Sequence, residues 1–254
     1  IPARRKCRGE IALSGVTAEK SELSTKYGLI PEEYASAYDY PFVLFDEKGN
    51  FKSAYNAFIG NGDNGDGGVL GAAKSYVVNA WNGTSYGTDP KEAFIVMRRD
   101  YTFDSSRDVK LNNLAQLQGT INIDLCGYTL SSGTVSYPIF PAFSKGYSGA
   151  AGNKIFPSTI VVNNGTLRSY QNGIVGMSTW DSVGGGTIAD KHFNFIFNNV
   201  TIGFVDNAAA AGLTAHGRDK TGTPGAAAPF NFTYNDCTFD LRTYKSRYNP
   251  TIFA

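Results

Sequence analysis

Phe94-Ile95-Val96-Met97-Arg98-Arg99-Asp100-Tyr101-Thr102-Phe103 lies without gaps over four later stretches of the chain: Ile121 to Leu130, Ser158 to Leu167, Phe193 to Ile202 and Phe230 to Phe239. Each copy carries mostly apolar residues at its first, third and fifth positions, then two turn-type residues, and ends on Thr followed by a bulky apolar residue. The five threonines, Thr102, Thr129, Thr166, Thr201 and Thr238, are spaced 27, 37, 35 and 37 residues apart. A period in this range, joined to strand-type alternation, predicts a solenoid of stacked β-coils in place of a sandwich or an α/β domain.

Alternation with period two sends every second side chain to one face. The inward set is then Phe94 and Val96; Ile121, Ile123 and Leu125; Ile160 and Val162; Phe193, Phe195 and Phe197; Phe230, Phe232 and Tyr234. Burying each such side chain contributes about 1.5–3 kcal/mol, so the aromatic column from Phe193 to Tyr234 is expected to be a main source of stability. The turns that follow carry Cys126-Gly127, Asn163-Asn164, Asn198-Asn199 and Asn235-Asp236. Gly, Asn and Asp tolerate the left-handed backbone that a sharp bend requires. Stacked Asn side chains are also expected to hydrogen-bond from coil to coil.

Working outward, residues 1–40 read as an irregular N-terminal arm with the basic run Arg4-Arg5-Lys6-Cys7-Arg8. Residues 41–92 read as a hairpin and helical cap. Tyr40 to Phe45 is a strand, Asp46 to Asn50 a tight turn, and Phe51 begins a return strand. Ser53 to Phe58 and Val69 to Trp81 show apolar residues at helical spacing. A bare solenoid end exposes its core and strand edges, so a lid over the first coil is physically required. Residues 93–254 form the coils. The chain opens at Ile1 without Met and reads as processed or cut from something longer.

Bulk composition narrows the function classes. The 254 residues carry a formal net charge of +1 and only 18% charged side chains, so no field is built for nucleic acid or anionic lipid. No apolar run reaches the roughly 18–20 residues that span a bilayer, so no membrane insertion is expected. Three cysteines, Cys7, Cys126 and Cys237, are an odd number and not a disulfide framework. Cys126 and Cys237 fall in coils three apart, about 14 Å at the strand spacing, which is beyond disulfide reach.

The segment Gly119-Thr120-Ile121-Asn122-Ile123-Asp124-Leu125-Cys126-Gly127-Tyr128-Thr129-Leu130 resembles a coil of right-handed parallel β-helix proteins in the pectate-lyase-like superfamily. Val161 to Leu167 and Phe197 to Ile202 resemble the coils that follow. The cap and first coil at 41–103 are similar to those of large bacterial cell-surface proteins. The resemblance covers about residues 93 to 254 and implies an all-β, right-handed parallel β-helix of about five coils with an N-terminal α/β cap. It leaves activity open, because the superfamily spans lyases, hydrolases, adhesins and phage tailspikes.

Lyases of that superfamily need several carboxylates on one exposed sheet to hold Ca2+ and substrate acids. The outward positions here are Asn122 and Asp124, Val161, Asn194 and Ile196, Asn231 and Thr233, with one carboxylate among them. Asn122, Asp124, Asn194 and Asn231 therefore read as a hydrogen-bonding, ligand-binding column. The densest polar cluster elsewhere is His216-Gly217-Arg218-Asp219-Lys220, in which His216, Arg218 and Asp219 are the candidate base, anion clamp and acid. Asn61, Asp63 and Asp66 offer oxygens for Ca2+ in a Gly-rich loop, but the spacing breaks the EF-hand pattern, and a plain connector is the simpler reading. Otherwise no cofactor is expected. Trp81, Tyr147, Tyr170 and Trp180 could stack on sugar rings where exposed.

These features favour an extracellular or cell-surface structural and adhesive β-solenoid, not an enzyme, with a polysaccharide or host-surface glycan as partner. The alternatives are a polysaccharide lyase or glycoside hydrolase, and a self-stacking filament or phage-type fibre. The last motivates a homo-oligomer formed through the open end of the coils.

Overall fold

The computed structural model describes residues 39–60, 67–77, 91–105, 108, 119–134, 139–143, 158–170, 173–178, 193–205, 215–216 and 230–242. The described chain is strand-rich. A hairpin, β1 (Phe42–Asp46) and β2 (Phe51–Tyr55), precedes one helix, α1 (Val69–Val77). There follow β3 (Lys91–Met97), β4 (Tyr101–Thr102), β5 (Gly119–Asp124), β6 (Thr129–Ser131) and β7 (Phe140–Phe143). The remaining strands are β8 (Ser158–Ser169), β9 (Val175–Ser178), β10 (Phe193–Phe204), β11 (Ala215–His216), β12 (Phe230–Asn235) and β13 (Thr238–Asp240).

Ten strands form one mixed, open sheet whose main path runs β12-β10-β8-β5-β3-β1-β2, with β4, β6 and β13 paired off that path. The sheet is parallel from β3 to β12 and antiparallel where β1 meets β2 and β3. The distal halves of the long strands continue it, with β6 on β8 and β13 on β10. A separate three-stranded parallel sheet runs β11-β9-β7.

The last three copies of the repeat pair as read from the sequence. Phe193 faces Ser158 on one side and Phe230 on the other, and Thr201 faces both Thr166 and Thr238. The second copy departs by two residues at its start, since Ile121 lies beside Ile160 and not Ser158, while Thr129 still meets Thr166. A wider turn at Leu125 to Tyr128 absorbs the difference: Tyr128 N donates to Leu125 O at 2.8 Å, with Cys126 and Gly127 both at positive φ. The neighbouring strand yields room for it. A Cβ at Gly165 would stand 2.4 Å from Leu125 Cβ and 2.6 Å from Tyr128 O. Because the shift is an even number of residues, Ile121 and Ile123 keep facing inward and are fully buried.

The first copy is corrected more deeply. Ala93 pairs with Ile121 and Ile95 with Ile123, one residue out from the reading, which turns the strand over. Ala93, Ile95 and Met97 enter the main core, whereas Phe94 and Val96 pack on the other face with Val43, Phe45 and Cys126. All five of these β3 residues are buried. A strand covered on both faces has no need to alternate, so its run of apolar residues carries no register signal.

At the capped end the hairpin is where the sequence places it, and α1 covers Val69–Val77 of the expected Val69 to Trp81, the rest lying outside the described residues. Asp46 closes the turn by accepting from Lys48 N at 3.0 Å and Asn50 N at 2.8 Å, with Gly49 at φ 78. The helical reading of Ser53 to Phe58 is corrected: β2 runs to Tyr55, and the chain then bends without a helix. Val69, Leu70, Ala73 and Val77 of α1 complete the main core. Asp108 ties the cap to the sheet. Its buried carboxylate accepts from the Phe58, Ile59 and Asp104 amides at 3.1, 2.8 and 3.0 Å and from the Tyr101 hydroxyl at 2.6 Å.

Inward residues of adjacent strands stack ring on ring, Phe195 on Phe232 with centroids 5.5 Å apart and Phe197 on Tyr234 at 5.3 Å. Cys237 is a free thiol, in line with the expectation that Cys126 and Cys237 are not bonded to each other, while Cys126 is disulfide-bonded. The chain therefore has a cross-link that the cysteine count does not reveal.

Candidate functional site

The parallel ladder brings outward residues of β5, β8, β10 and β12 into rows that cross the strands. One row runs Thr120, Thr159, Asn194, Asn231. Two residues along lies Asn122, Val161, Ile196, Thr233, and two further Asp124, Asn163, Asn198, Asn235. Strands about 4.8 Å apart set the repeat within each row.

Amide side chains at that repeat bond to one another in one direction. Asn231 Nδ2 donates to Asn194 Oδ1 at 2.9 Å, and Asn194 Nδ2 donates to Thr159 Oγ1 at 3.4 Å. In the third row Asn235 donates to Asn198 at 2.8 Å and Asn198 to Asn163 at 2.9 Å. At the bend, Asn199 donates to Asn164 at 3.1 Å. Asn164, Asn199 and Asp236 hold φ between 52 and 54, the left-handed region that Asn and Asp enter more readily than other non-glycine residues. The amide bonding expected between the turns of successive repeats is present.

Of the four expected ligand residues, Asn194 and Asn231 are adjacent, the first half-buried and the second exposed. Asn122 stands apart from them because of the shift at β5. It sits in the row of Val161 and Ile196 and donates to Glu92 Oε2 at 3.3 Å. Asp124 faces the small apolar cluster and not solvent, at 1% exposure. Its Oδ1 accepts from Cys126 N at 2.8 Å, while Oδ2 is buried without a hydrogen bond. Burial pushes its carboxyl above the usual range, with the Cys126 amide and Asn164 opposing the shift. The sequence reading missed Thr159, Asn163, Asn198 and Asn235 as outward members; the Asn-Asn pairs were the signal.

His216 lies on β11, in register with Gly176 of β9. Arg218 and Asp219 lie outside the described residues, as do Asn61, Asp63 and Asp66, and Trp81, Tyr147 and Trp180. Tyr170 is half-buried against the main core. Among the described residues, no three His, Cys, Asp or Glu side chains stand close enough to hold a metal ion. No described helix is long and apolar enough to cross a membrane, which says nothing of strands.

Among the described residues, a charge cluster links strands. Arg242 binds Asp240 through Nε at 2.8 Å, Arg168 NH2 lies 3.6 Å from the same carboxylate, and Arg168 NH1 donates to Phe204 O at 3.0 Å. The Arg242 hydrogen bonds hold the Asp240 carboxyl well below the usual carboxylate range. The outer rows between β8 and β12, by contrast, are neutral: amides and hydroxyls flank the half-buried Val161 and Ile196. Such a surface can exchange hydrogen bonds with a neutral polar ligand and pack against its apolar edges. It offers nothing that titrates near neutrality.

No protein-family model, no curated protein and no solved structure matches the chain.

Proposed function

We propose that this chain is an extracellular or cell-surface structural and adhesive module. Its parallel ladder winds as a right-handed parallel β-helix of the pectate-lyase-like kind, capped at the β1 end. The observation that carries this reading is the set of parallel, in-register strands at near-constant sequence separation, 35 residues from β8 to β10 and 37 from β10 to β12. Coils of that length continued along an axis make a stalk. The disulfide at Cys126 supports an oxidising, extracellular setting.

The ligand best suited to the outer rows is a neutral polysaccharide or host-surface glycan. Neutral amides can pair with hydroxyls, and Val161 and Ile196 provide an apolar strip between them. The lyase or hydrolase alternative needs clustered carboxylates on this face, and the described rows supply only the buried Asp124. A glycan array probed with the wild-type chain and with the double variant N194A/N231A tests the reading. Binding to neutral glycans that falls about tenfold or more in the variant supports adhesion. Binding unaffected by the variant would move the site elsewhere, and no binding leaves a purely structural module. Turnover of a uronate polymer by the wild-type chain would favour the enzyme.

A further inference from the structure

We propose that Asp124 is the proton donor for the Cys126 disulfide, handing its carboxyl proton to the Cys126 sulfur when a reductant opens the bond. The inference rests on the buried surroundings of these two residues and does not require the glycan reading.

The turn that follows β5 brings the two groups together. Cys126 stands in the left-handed region at φ 50, and its amide donates to Asp124 Oδ1 at 2.8 Å. Covalent geometry alone then keeps the Cys126 sulfur within roughly 7 Å of that oxygen, and rotation about Cα–Cβ brings it closer. Both residues are withdrawn from water, Asp124 at 1% exposure and Cys126 at 3%. Cys126 packs with Val43 and Phe45 of the cap and with Phe94 and Val96 of β3. Asp124 has Val96 beside it on one strand and Asn163 on the other. Asn164 Nδ2 donates to its Oδ1 at a long 3.5 Å, and its Oδ2 has no hydrogen bond. The titratable and charged groups nearest the pair are Tyr128, half-buried on the same turn, and Arg98 and Asp100 beyond the end of β3. The Asp100 carboxylate accepts from Thr129 N at 2.8 Å.

A carboxyl that burial holds above its usual range keeps its proton to higher pH than a surface carboxyl does. A thiolate released in the same apolar surroundings is disfavoured until it gains a proton. The two requirements match. A reductant thiolate attacks the other sulfur of the bond, the S–S bond breaks, and its electron pair goes to Cys126 Sγ. Asp124 supplies the proton, which leaves Cys126 as a thiol and Asp124 as a carboxylate that is reprotonated from solvent. The reductant is oxidised, first as a mixed disulfide and then, for a dithiol, as its own closed disulfide. A phosphine attacks in the same way and ends as its oxide once water cleaves the phosphorus–sulfur bond. A sulfur that leaves more easily speeds this exchange, so the disulfide opens more readily while the carboxyl is protonated.

Reduction of the native, oxidised chain by excess tris(2-carboxyethyl)phosphine between about pH 4 and about pH 8 tests this, with wild type and D124N compared. Opening is followed by mass after maleimide capture of the new thiols. Each rate is divided by that of oxidised glutathione under the same conditions, which cancels the pH dependence of the phosphine. The wild-type ratio should fall about tenfold or more as pH rises, and the D124N ratio should stay flat. Opening through unfolding has the opposite sign, because a raised carboxyl pKa makes the wild-type fold less stable as pH rises. A wild-type ratio that is flat or climbs with pH, or a D124N ratio with the wild-type slope, would overturn the proposal. If D124N fails to fold, the wild-type slope decides.

Discussion

Asp124 stands at the β5 end of an amide row, beside Asn163, with one carboxylate oxygen buried and unbonded. An ionised group there loses its hydration and regains one short hydrogen bond, from Cys126 N. The folded state therefore holds the proton above the usual carboxyl range. The sign follows from linkage. With the folded pKa raised, the native state binds more protons than the unfolded chain, so stability is greatest below the unfolded value of about 3.9 and falls as pH rises through the folded pKa. D124N keeps an oxygen for Cys126 N and removes the charge. It should stabilise the chain at neutral pH by about 1–2 kcal/mol and make little difference near roughly pH 3. Urea denaturation at the two pH values reads this. A D124N protein less stable than wild type at neutral pH would mean that the carboxylate is satisfied in solution.

At the scale of strands, what could be read from the residues depended on whether a strand has one dry face or two. β8, β10 and β12 alternate cleanly, with Ile160, Val162, Phe195 and Phe197 fully buried and Thr159, Asn194 and Asn231 between or beside them turned outward. Their register was therefore legible. β3 is dry on both faces, and its unbroken Ala93 to Met97 run hid a one-residue displacement. The extra turn at Leu125 to Tyr128 was hidden because the motif around Thr129 resumes in phase. The amide rows were visible as Asn-Asn pairs, but Asn122 was assigned to the wrong row through that same turn.

The aromatic stack yields a graded prediction at this scale. Phe195 is fully buried between neighbours on both sides, whereas Phe232 on β12, at the end of the described sheet order, is only partly buried. F195A should cost about 3–5 kcal/mol, as full truncation of a buried ring does. F232A should cost distinctly less, about 1–2 kcal/mol, because less apolar area is withdrawn from water. Equal losses by chemical denaturation would show that the two positions are equally enclosed and that β12 is not the sheet edge.

Taken whole, the molecule is asymmetric along the direction in which its strands stack. One end is closed by the β1–β2 hairpin, α1 and the Asp108 latch, and ends on a strand that resists addition. At the other end of the described sheet lies β12, whose inner rings and outer amides continue the rows before it. The proposed roles, a structural support and a neutral outer surface for ligands, are read from that arrangement. Each role depends on the parallel pairing of β8, β10 and β12.

That pairing is open to direct measurement by nuclear Overhauser contacts between backbone protons in isotope-labelled protein. The account predicts a ladder that joins Phe195 to Ile160 on one side and to Phe232 on the other, and Thr201 to Thr166 and Thr238, with the partner's number rising as the residue's own number rises. A ladder in which the partner's number falls, or one that joins these residues to other segments, would contradict it.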